Sequence, residues 1–186
     1  MKIIHLISGG DVGGAKTHVL SLLQGLSQTH TVLLVCFMEG EFAREAREMG
    51  IQTRIIKSHN VLADCRTIAG LIRSEGFQVV HCHGSRANMM GALLRRKINV
   101  PVVTTVHSDY RLDYLGRPLH RLTFGTINMI ALRFLNYYIG VSEAMAELLI
   151  RRGFDPQRMF SIYNGVDFST PRQVVEREAF LDAIGL

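Results

Sequence analysis

The feature that most constrains the fold is a repeated alternation of a short apolar run, a glycine or polar turn, and apolar residues at helical spacing. Its first instance is the clearest. Lys2 to Ile7 is a nearly continuous apolar run, and Ala15, Val19, Leu22 and Leu26 then recur at intervals of four, three and four. The first pattern suits a strand buried on both faces, and the second suits one face of a helix. Between them stand Ser8-Gly9-Gly10-Asp11-Val12-Gly13-Gly14, so the glycines occupy a strand-to-helix turn. Such a turn lets backbone approach a ligand with no Cβ in the way. It also aims the helix's unpaired N–H groups and positive dipole end at that ligand. An anionic guest, most simply a phosphate, is expected there.

The alternation continues along the chain. Thr31 to Phe37, Ile51 to Lys57, Phe77 to Cys82, Val100 to Val106, Tyr137 to Val141 and Met159 to Tyr163 read as further strands. Helical periods fall around Phe42, Ala46 and Met49, from Leu62 to Ile72, from Ser85 to Lys97, and after Ser142, with Gly50, Gly76 and Gly153 placed as stops. Leu122, Ile127, Ile130 and Phe134 suggest interrupted helix within the irregular stretch from His107 to Arg133, and Gln173 to Ile184 suggests a last helix. The prediction is an α/β fold: a Rossmann-like parallel sheet of about six or seven strands flanked by helices, in one domain over residues 1–186. In such sheets ligands bind beyond the carboxyl ends of the strands. The glycine turn, His83-Gly84, His107-Ser108-Asp109 and Ser142 all fall on that rim.

Composition narrows the partners. A hydrophobic content of 47% supplies a core, and a net charge of +5 favours anionic ligands but is mild for a nucleic-acid binder, so no nucleic acid is expected. Cys36, Cys65 and Cys82 form no Cys-x-x-Cys spacing, which fits a reducing cytoplasm and excludes a disulfide framework. No apolar run reaches membrane-spanning length.

Two familiar phosphate motifs are weakened by spacing. Glycines at 9, 10, 13 and 14 do not make Gly-x-Gly-x-x-Gly, although Glu39 lies near the end of the second strand, where a ribose-binding acid would sit. Gly9 and Gly14 frame a P-loop, but Ala15 precedes Lys16-Thr17 and turns the lysine about 100° around the helix, away from the phosphates. His81-Cys82-His83 invites a metal reading. In a strand, however, the two histidines share one face and Cys82 points to the other, so the three cannot ligate together and no metal is expected.

His83 and His107, at strand ends, are placed to touch a ligand, and His107 can act as a hydrogen-bond partner or an acid or base near neutral pH. Asp109 can orient that ring, bind substrate or cap a helix. Arg111, Arg117 and Arg121 are interleaved with Leu112, Tyr114, Leu115 and Leu119. That mixture fits either a solvated helix face or contact with an anionic membrane surface or lipid-linked substrate.

Five blocks in order carry a resemblance. Gly13-Gly14-Ala15-Lys16-Thr17-His18-Val19, His81-Cys82-His83-Gly84, Pro101 to His107, Val141-Ser142-Glu143-Ala144-Met145 and Ile162-Tyr163-Asn164-Gly165-Val166-Asp167 together resemble the amino-terminal domain of family 4 glycosyltransferases, retaining enzymes of the GT-B fold. Tyr163 stands where the family pattern has proline. The resemblance implies an acceptor-side half facing a second, nucleotide-sugar half that would lie beyond Leu186. The 186 residues alone are expected to be inactive. It assigns Gly13 and Gly14 to the donor diphosphate and His107 to the transferring sugar. His83, Asp109, Arg111, Arg117 and Arg121 fall to the acceptor by position, and Asn164, Gly165 and Asp167 to the interdomain loop. It implies no cofactor beyond a nucleoside-diphosphate sugar. A glycan or lipid-linked acceptor, and a cytoplasmic site of action with peripheral contact at the inner membrane face, follow from the same reading. Two rivals stand beside it: a Rossmann-type NAD-dependent dehydrogenase or epimerase, and a non-catalytic sugar- or lipid-binding module.

Overall fold

The computed structural model describes residues 1–10, 14–58, 60–111, 125–165 and 181. Along the chain run β1 (Lys2–Ile7), α1 (Gly14–Ser27), β2 (Thr31–Cys36), α2 (Glu41–Glu48), β3 (Thr53–Ile55), α3 (Val61–Glu75), β4 (Val79–His83), α4 (Ser85–Leu94), β5 (Val102–Val106), α5 (Thr126–Arg133), β6 (Tyr137–Gly140), α6 (Glu143–Arg151) and β7 (Met159–Ser161). The seven strands form one sheet in the order β3-β2-β1-β4-β5-β6-β7, and every pairing is parallel. The expected Rossmann-like architecture is the one found.

Both sheet faces are covered, which is why the strands read as continuous apolar runs. Ile4, Leu6, Leu33, Val35, Val80, Cys82 and Val102 pack on one face with Cys65, Ile68 and Ile72 of α3 and Ala87, Met90 and Leu94 of α4. Ile7, Val32, Leu34 and Cys36 face the other way, onto Val19, Leu20 and Leu23 of α1 and Phe42, Ala43 and Ala46 of α2. Each Val, Leu, Ile, Phe or Met among them contributes roughly 1.5–3 kcal/mol when fully buried. A buried polar chain then fixes α4: Thr104 Oγ1 donates to Asn88 Oδ1 (2.6 Å), and Asn88 Nδ2 donates to Asn128 Oδ1 of α5 (3.0 Å).

The stops and caps are where the sequence placed them. Gly50, Gly76 and Gly153 end α2, α3 and α6 with φ of +77°, +72° and +82°, a region that glycine enters without Cβ strain. Ser142 Oγ accepts from Met145 N–H (3.2 Å), as expected of an N-cap.

Three readings shift. β3 is shorter than Ile51 to Lys57, because as an edge strand it has only β2 to pair with; its register covers Thr53–Ile55, flanked by bonds from Leu34 N–H to Gln52 O and from Ile56 N–H to Cys36 O. β7, the other edge, likewise ends at Ser161 rather than Tyr163. In α5 the stripe Ile127, Ile130 and Phe134 is exposed, and Asn128, Ala131 and Leu132 face inward instead. The polar network through Asn128 sets that phase, which apolar periodicity could not reveal. The helix expected from Gln173 to Ile184, and Leu122 within the irregular stretch, lie outside the described residues except for Leu181.

Two helical glycines yield opposite expectations for one substitution. A Cβ at Gly91 would meet Cys82 Sγ at 2.6 Å, Val102 Cγ1 at 3.0 Å and Leu135 Cδ2 at 3.3 Å, whereas at Gly70 nothing lies within 4 Å. Alanine gains about 1 kcal/mol in helix propensity at either site, but overpacking costs about 1–3 kcal/mol. Gly70→Ala should therefore raise the urea midpoint, and Gly91→Ala should lower it.

Candidate functional site

The sheet order reverses at β1, which pairs with β2 on one side and β4 on the other. A crevice opens at such a point beyond the strand ends, because the connections leave toward opposite faces. The turn after β1 and the turn after β4 are its two walls, since Ile7 pairs with His83.

The first wall is held by a close backbone seam. Gly9 has φ +95°, and a Cβ there would stand 2.5 Å from Met38 O; one at Gly40 would stand 2.6 Å from Gly9 O. The β1–α1 turn is thus pressed against the β2–α2 turn, with no room for a side chain between them. Gly40 went unnoticed in the sequence because its role depends on a contact with another loop. Lys16, in the first turn of α1, is held by Glu41 (3.0 Å) and Glu45 (2.6 Å) of α2. This agrees with its displacement from a P-loop lysine's position. Glu39, the acid a dinucleotide site would need, is gripped by Arg47 through both oxygens, at 2.6 and 3.1 Å.

On the α1 face of the sheet, histidines gather. His5 of β1 pairs in register with His81 of β4, so strand parity puts His5, His81 and His83 on one face. All three are buried, at 0%, 7% and 2% exposure. His5 Nδ1 and His83 Nε2 share a hydrogen bond of 3.1 Å, and His81 Nε2 lies 2.8 Å from Thr105 Oγ1. His83 approaches His107 with ring centroids 6.2 Å apart, and His107 meets His18 of α1 edge-on at 5.1 Å. Five imidazoles therefore run from the core to the rim, joining the helix that carries the glycine turn to the loop after β5.

Burial governs their charge. It pushes His5 down to about 3 and His107 down to about 4, with repulsion from His18 adding to the latter. It also holds His81 and His83 well below the ordinary range, reinforced by the neighbouring histidines. His18 is lowered for the same reason. At neutral pH the row is uncharged, a set of donors and acceptors in a low dielectric. Among the described residues, His107 Nε2, His83 Nδ1 and His5 Nε2 have no hydrogen-bond partner.

Among the described residues, His5, His81 and His83 are the group with ligand atoms close enough for a metal, within 4.8 Å of one another. A tetrahedral zinc asks for nitrogens about 3.3 Å apart. Here His5 Nδ1 and His83 Nε2 meet at 3.1 Å and His81 Nε2 is 2.8 Å from Thr105 Oγ1, so the three rings stand as a hydrogen-bonded stack. Cys82 lies on the opposite face, as strand parity requires, and burial pushes its thiol up. His5 carries no signal of this role in the sequence, since only the β1–β4 pairing brings it beside the later motif.

The remaining predicted residues are dispersed. Gly14 opens α1 at the first wall. Asp109 is engaged by Arg152 of the α6 C-cap through both carboxylate oxygens and accepts from Arg111 N–H (2.9 Å). The Arg152 contact, first, and the Arg111 N–H hold its carboxyl below the usual range. Arg152 also lies over the Tyr110 ring at 5.2 Å, so it grips the loop that carries His107. Arg111 is exposed beside Tyr110, and Asn164 and Gly165 are exposed beyond β7. Gly13, Arg117, Arg121 and Asp167 lie outside the described residues.

Residues 12–170 match the model of Glycosyltransferase Family 4. The chain belongs to this family. A curated relative, the Escherichia coli UDP-Gal:alpha-D-GlcNAc-diphosphoundecaprenol alpha-1,3-galactosyltransferase, is 28% identical over 99 residues, 52% of this chain and 25% of the relative. Crystal structures of Anabaena HepE with UDP-glucose (TM-score 0.76, 18% identity) and of a Rickettsia africae glycosyltransferase (TM-score 0.72, 17% identity) share the fold over 100% and 99% of this chain. This family 4 chain spans about half the length of those solved relatives, 50% and 49%. No helix among its described residues is long and apolar enough to cross a membrane.

The neutral histidine row gives a pH dependence with a defined sign. A histidine whose folded pKa is depressed binds its proton in the unfolded state first, so its stabilisation is complete above pH 6.5 and falls as pH drops toward the folded value. Unfolding free energy measured in urea should therefore decline between pH 6.5 and 4.5, by about 1.4 kcal/mol per pH unit for each such histidine. His5→Leu should reduce that slope by one histidine's worth, and an unchanged slope would show His5 protonated in the fold.

Proposed function

We propose that this chain is the amino-terminal, acceptor-side half of a retaining glycosyltransferase that moves a sugar from a nucleoside-diphosphate donor to an acceptor hydroxyl. The single observation that carries the reading is the meeting of α1 and the β5 loop. His18 stands one helical turn below Gly14, and His107 touches it at 5.1 Å. A ligand reaching the α1 N-terminus therefore also reaches His107. Family membership supports the reaction class. The curated relative is named for a UDP-galactose donor and a diphosphate-linked acceptor, and HepE was crystallised with UDP-glucose.

The residues present suit distinct parts of that chemistry. Gly13 and Gly14 would admit the donor diphosphate to the backbone N–H groups of α1, whose dipole stabilises a leaving diphosphate. His107 would bond a hydroxyl of the transferring sugar. Because burial lowers it to about 4, it would do so at neutral pH as an uncharged imidazole, its buried Nε2 without a partner among the described residues, and not as a cation. Asp109 then serves the loop rather than the substrate, since Arg152 occupies both its oxygens. His83, Arg111, Arg117 and Arg121 would border the acceptor, and Asn164, Gly165 and Asp167 the link to a second domain. That domain would hold the nucleotide sugar and close over the cleft, excluding the water that competes as acceptor.

No metal or cofactor besides the nucleotide sugar is required by this scheme. The acceptor class we favour is a glycan or lipid-linked sugar in cell-surface glycan synthesis. Action in the cytoplasm, with peripheral contact at the inner membrane face, belongs to the same proposal. A nicotinamide-dependent rival is less well supported, because the acid that would read the ribose, Glu39, is taken by Arg47.

In a two-domain protein bearing this half, His107→Ala should lower turnover by about 100-fold or more while leaving the urea midpoint in place, as expected for loss of a contact made near the reacting sugar. Gly14→Val should raise the donor KM at least as strongly. Near-normal kinetics in both variants would remove the glycine turn and His107 from the site. Donor-dependent transfer by residues 1–186 alone would overturn the two-domain scheme.

A further inference from the structure

The loop after β5 presents His107 at its start and is clamped two residues later. Val106 ends the strand, and His107 meets the His18 ring of α1. Asp109 turns to a different part of the fold. Arg152, the C-cap of α6, engages both its carboxylate oxygens from 43 residues away in sequence. The two side chains are each only 15% exposed. The Arg152 guanidinium also lies over the ring of Tyr110, 5.2 Å from the centroid, and that ring is buried. One side chain thus holds two successive residues of the loop. Asp109 in turn accepts from Arg111 N–H (2.9 Å), which closes the turn on itself.

The clamp is itself fixed. Arg152 N–H donates to Leu148 O (3.1 Å) and Leu149 O (3.0 Å), which ties its backbone to the last turn of α6. From the other side, Arg133 of α5 donates to Arg152 O (2.6 Å) and Gly153 O (2.5 Å), and its guanidinium lies 4.0 Å from the Phe154 ring centroid. Phe154 meets Tyr110 edge-on at 6.1 Å and Tyr138 of β6 at 4.9 Å. Tyr110, Leu149 and Phe154 belong to the core layer shared with α3 and α4, whereas α1 packs in the other. The loop therefore spans two layers, held to α6 at Asp109 and Tyr110 and meeting α1 through His107.

Stability alone is a weak reason for so directed a contact. A largely buried ion pair loses in desolvation much of what it gains in attraction, and apolar residues of similar size often serve a core as well. What the pair adds is direction, because two parallel N–H···O bonds from a planar fork fix angle as well as distance. The neighbouring arginine shows the contrast. Arg151 is 66% exposed and reaches Glu147, one turn back on a solvated face, at 3.5 Å. A group that bonds a reacting sugar must keep its place, since a displacement of about 1 Å can cost roughly 100-fold in rate. We propose that Arg152 is a positioning residue for sugar transfer: through Asp109 and Tyr110 it holds the loop after β5 so that His107 keeps its place against His18 of α1. The assignment rests on the glycosyltransferase reading above, and it gives Asp109 a task apart from the acceptor.

The first test uses the whole chain and the nuclear Overhauser effect between the His18 and His107 ring protons. Arg152→Gln should abolish that signal while the backbone amide shifts of β1 and β4 stay in place. Asp109→Asn, which removes the charge with little change of shape, should act in the same direction and decides the matter if Arg152→Gln fails to fold. Arg152→Lys should restore the signal only in part, since an ammonium lacks the planar fork. Arg151→Gln should leave it unchanged. A ring contact that survives both Arg152→Gln and Asp109→Asn, or that Arg151→Gln weakens equally, would overturn the proposal. In the two-domain protein, Arg152→Gln should lower kcat by about tenfold or more with the donor KM nearly unchanged. Added to His107→Ala it should lower kcat no further, because a residue that acts through His107 has nothing left to position. An equal loss in both backgrounds would make the effect general to the fold and overturn the proposal. Failure of the unmutated two-domain protein to transfer sugar, with the ring contact still dependent on Arg152, would count against the glycosyltransferase reading and leave the positioning of His107 by Arg152 standing.

Discussion

The parallel pairing of β1 with β4 is the contact on which the rest of the structure depends. It joins Ile3 to Val79 and Ile7 to His83 across the first 83 residues, placing the strand that leads into the glycine turn beside the strand that ends in His83-Gly84. Because β1 also pairs with β2, the chain must cross over β1, and α1 and α4 leave toward opposite faces. The crevice is a consequence of that topology and not of any single loop. The same register carries His5 to His81, so the strand pairing that defines the cleft also assembles the core of the histidine row.

That row is polar without being charged. An imidazolium in the core would have to be desolvated among four other imidazoles, and burial together with mutual repulsion keeps the buried members neutral. The row contributes directed hydrogen-bonding capacity and rigidity, while attraction for anions comes from elsewhere, from helix ends and arginine. This division has a physical advantage. In the proposed enzyme a neutral His107 would bond a sugar hydroxyl without competing for the diphosphate, which would sit at the α1 N-terminus.

Much of this was legible in the sequence. The apolar runs, the helix stops at Gly50, Gly76 and Gly153 and the Ser142 cap are local signals, decided within a few residues, and the structure bears them out. Strand parity alone separated Cys82 from His81 and His83. The missed features share one cause: each is a contact between segments distant in sequence. Gly40 matters because Gly9 O lies against it, Arg152 because Asp109 reaches it, and His5 because β4 lies beside it. The phase of α5 eluded a periodicity argument because Asn128, a polar residue, is on its buried side, held there by Asn88. Where burial is set by hydrogen bonding, the apolar pattern points the wrong way.

The carboxylates near the crevice complete the electrostatic picture. Glu39 is held by Arg47, Glu41 and Glu45 share Lys16, and Asp109 is held by Arg152. Each of these four acids is thereby matched within the protein and repels an incoming anion little. Exposed pairs of this kind add little stability, typically about 0–1 kcal/mol each. Their larger effect is on the field over the rim: with those charges cancelled, they no longer offset the positive end of α1. Potential at a cleft mouth depends on the charges left over after pairing, so the matching of these acids bears on the rim more directly than the net charge of +5 does.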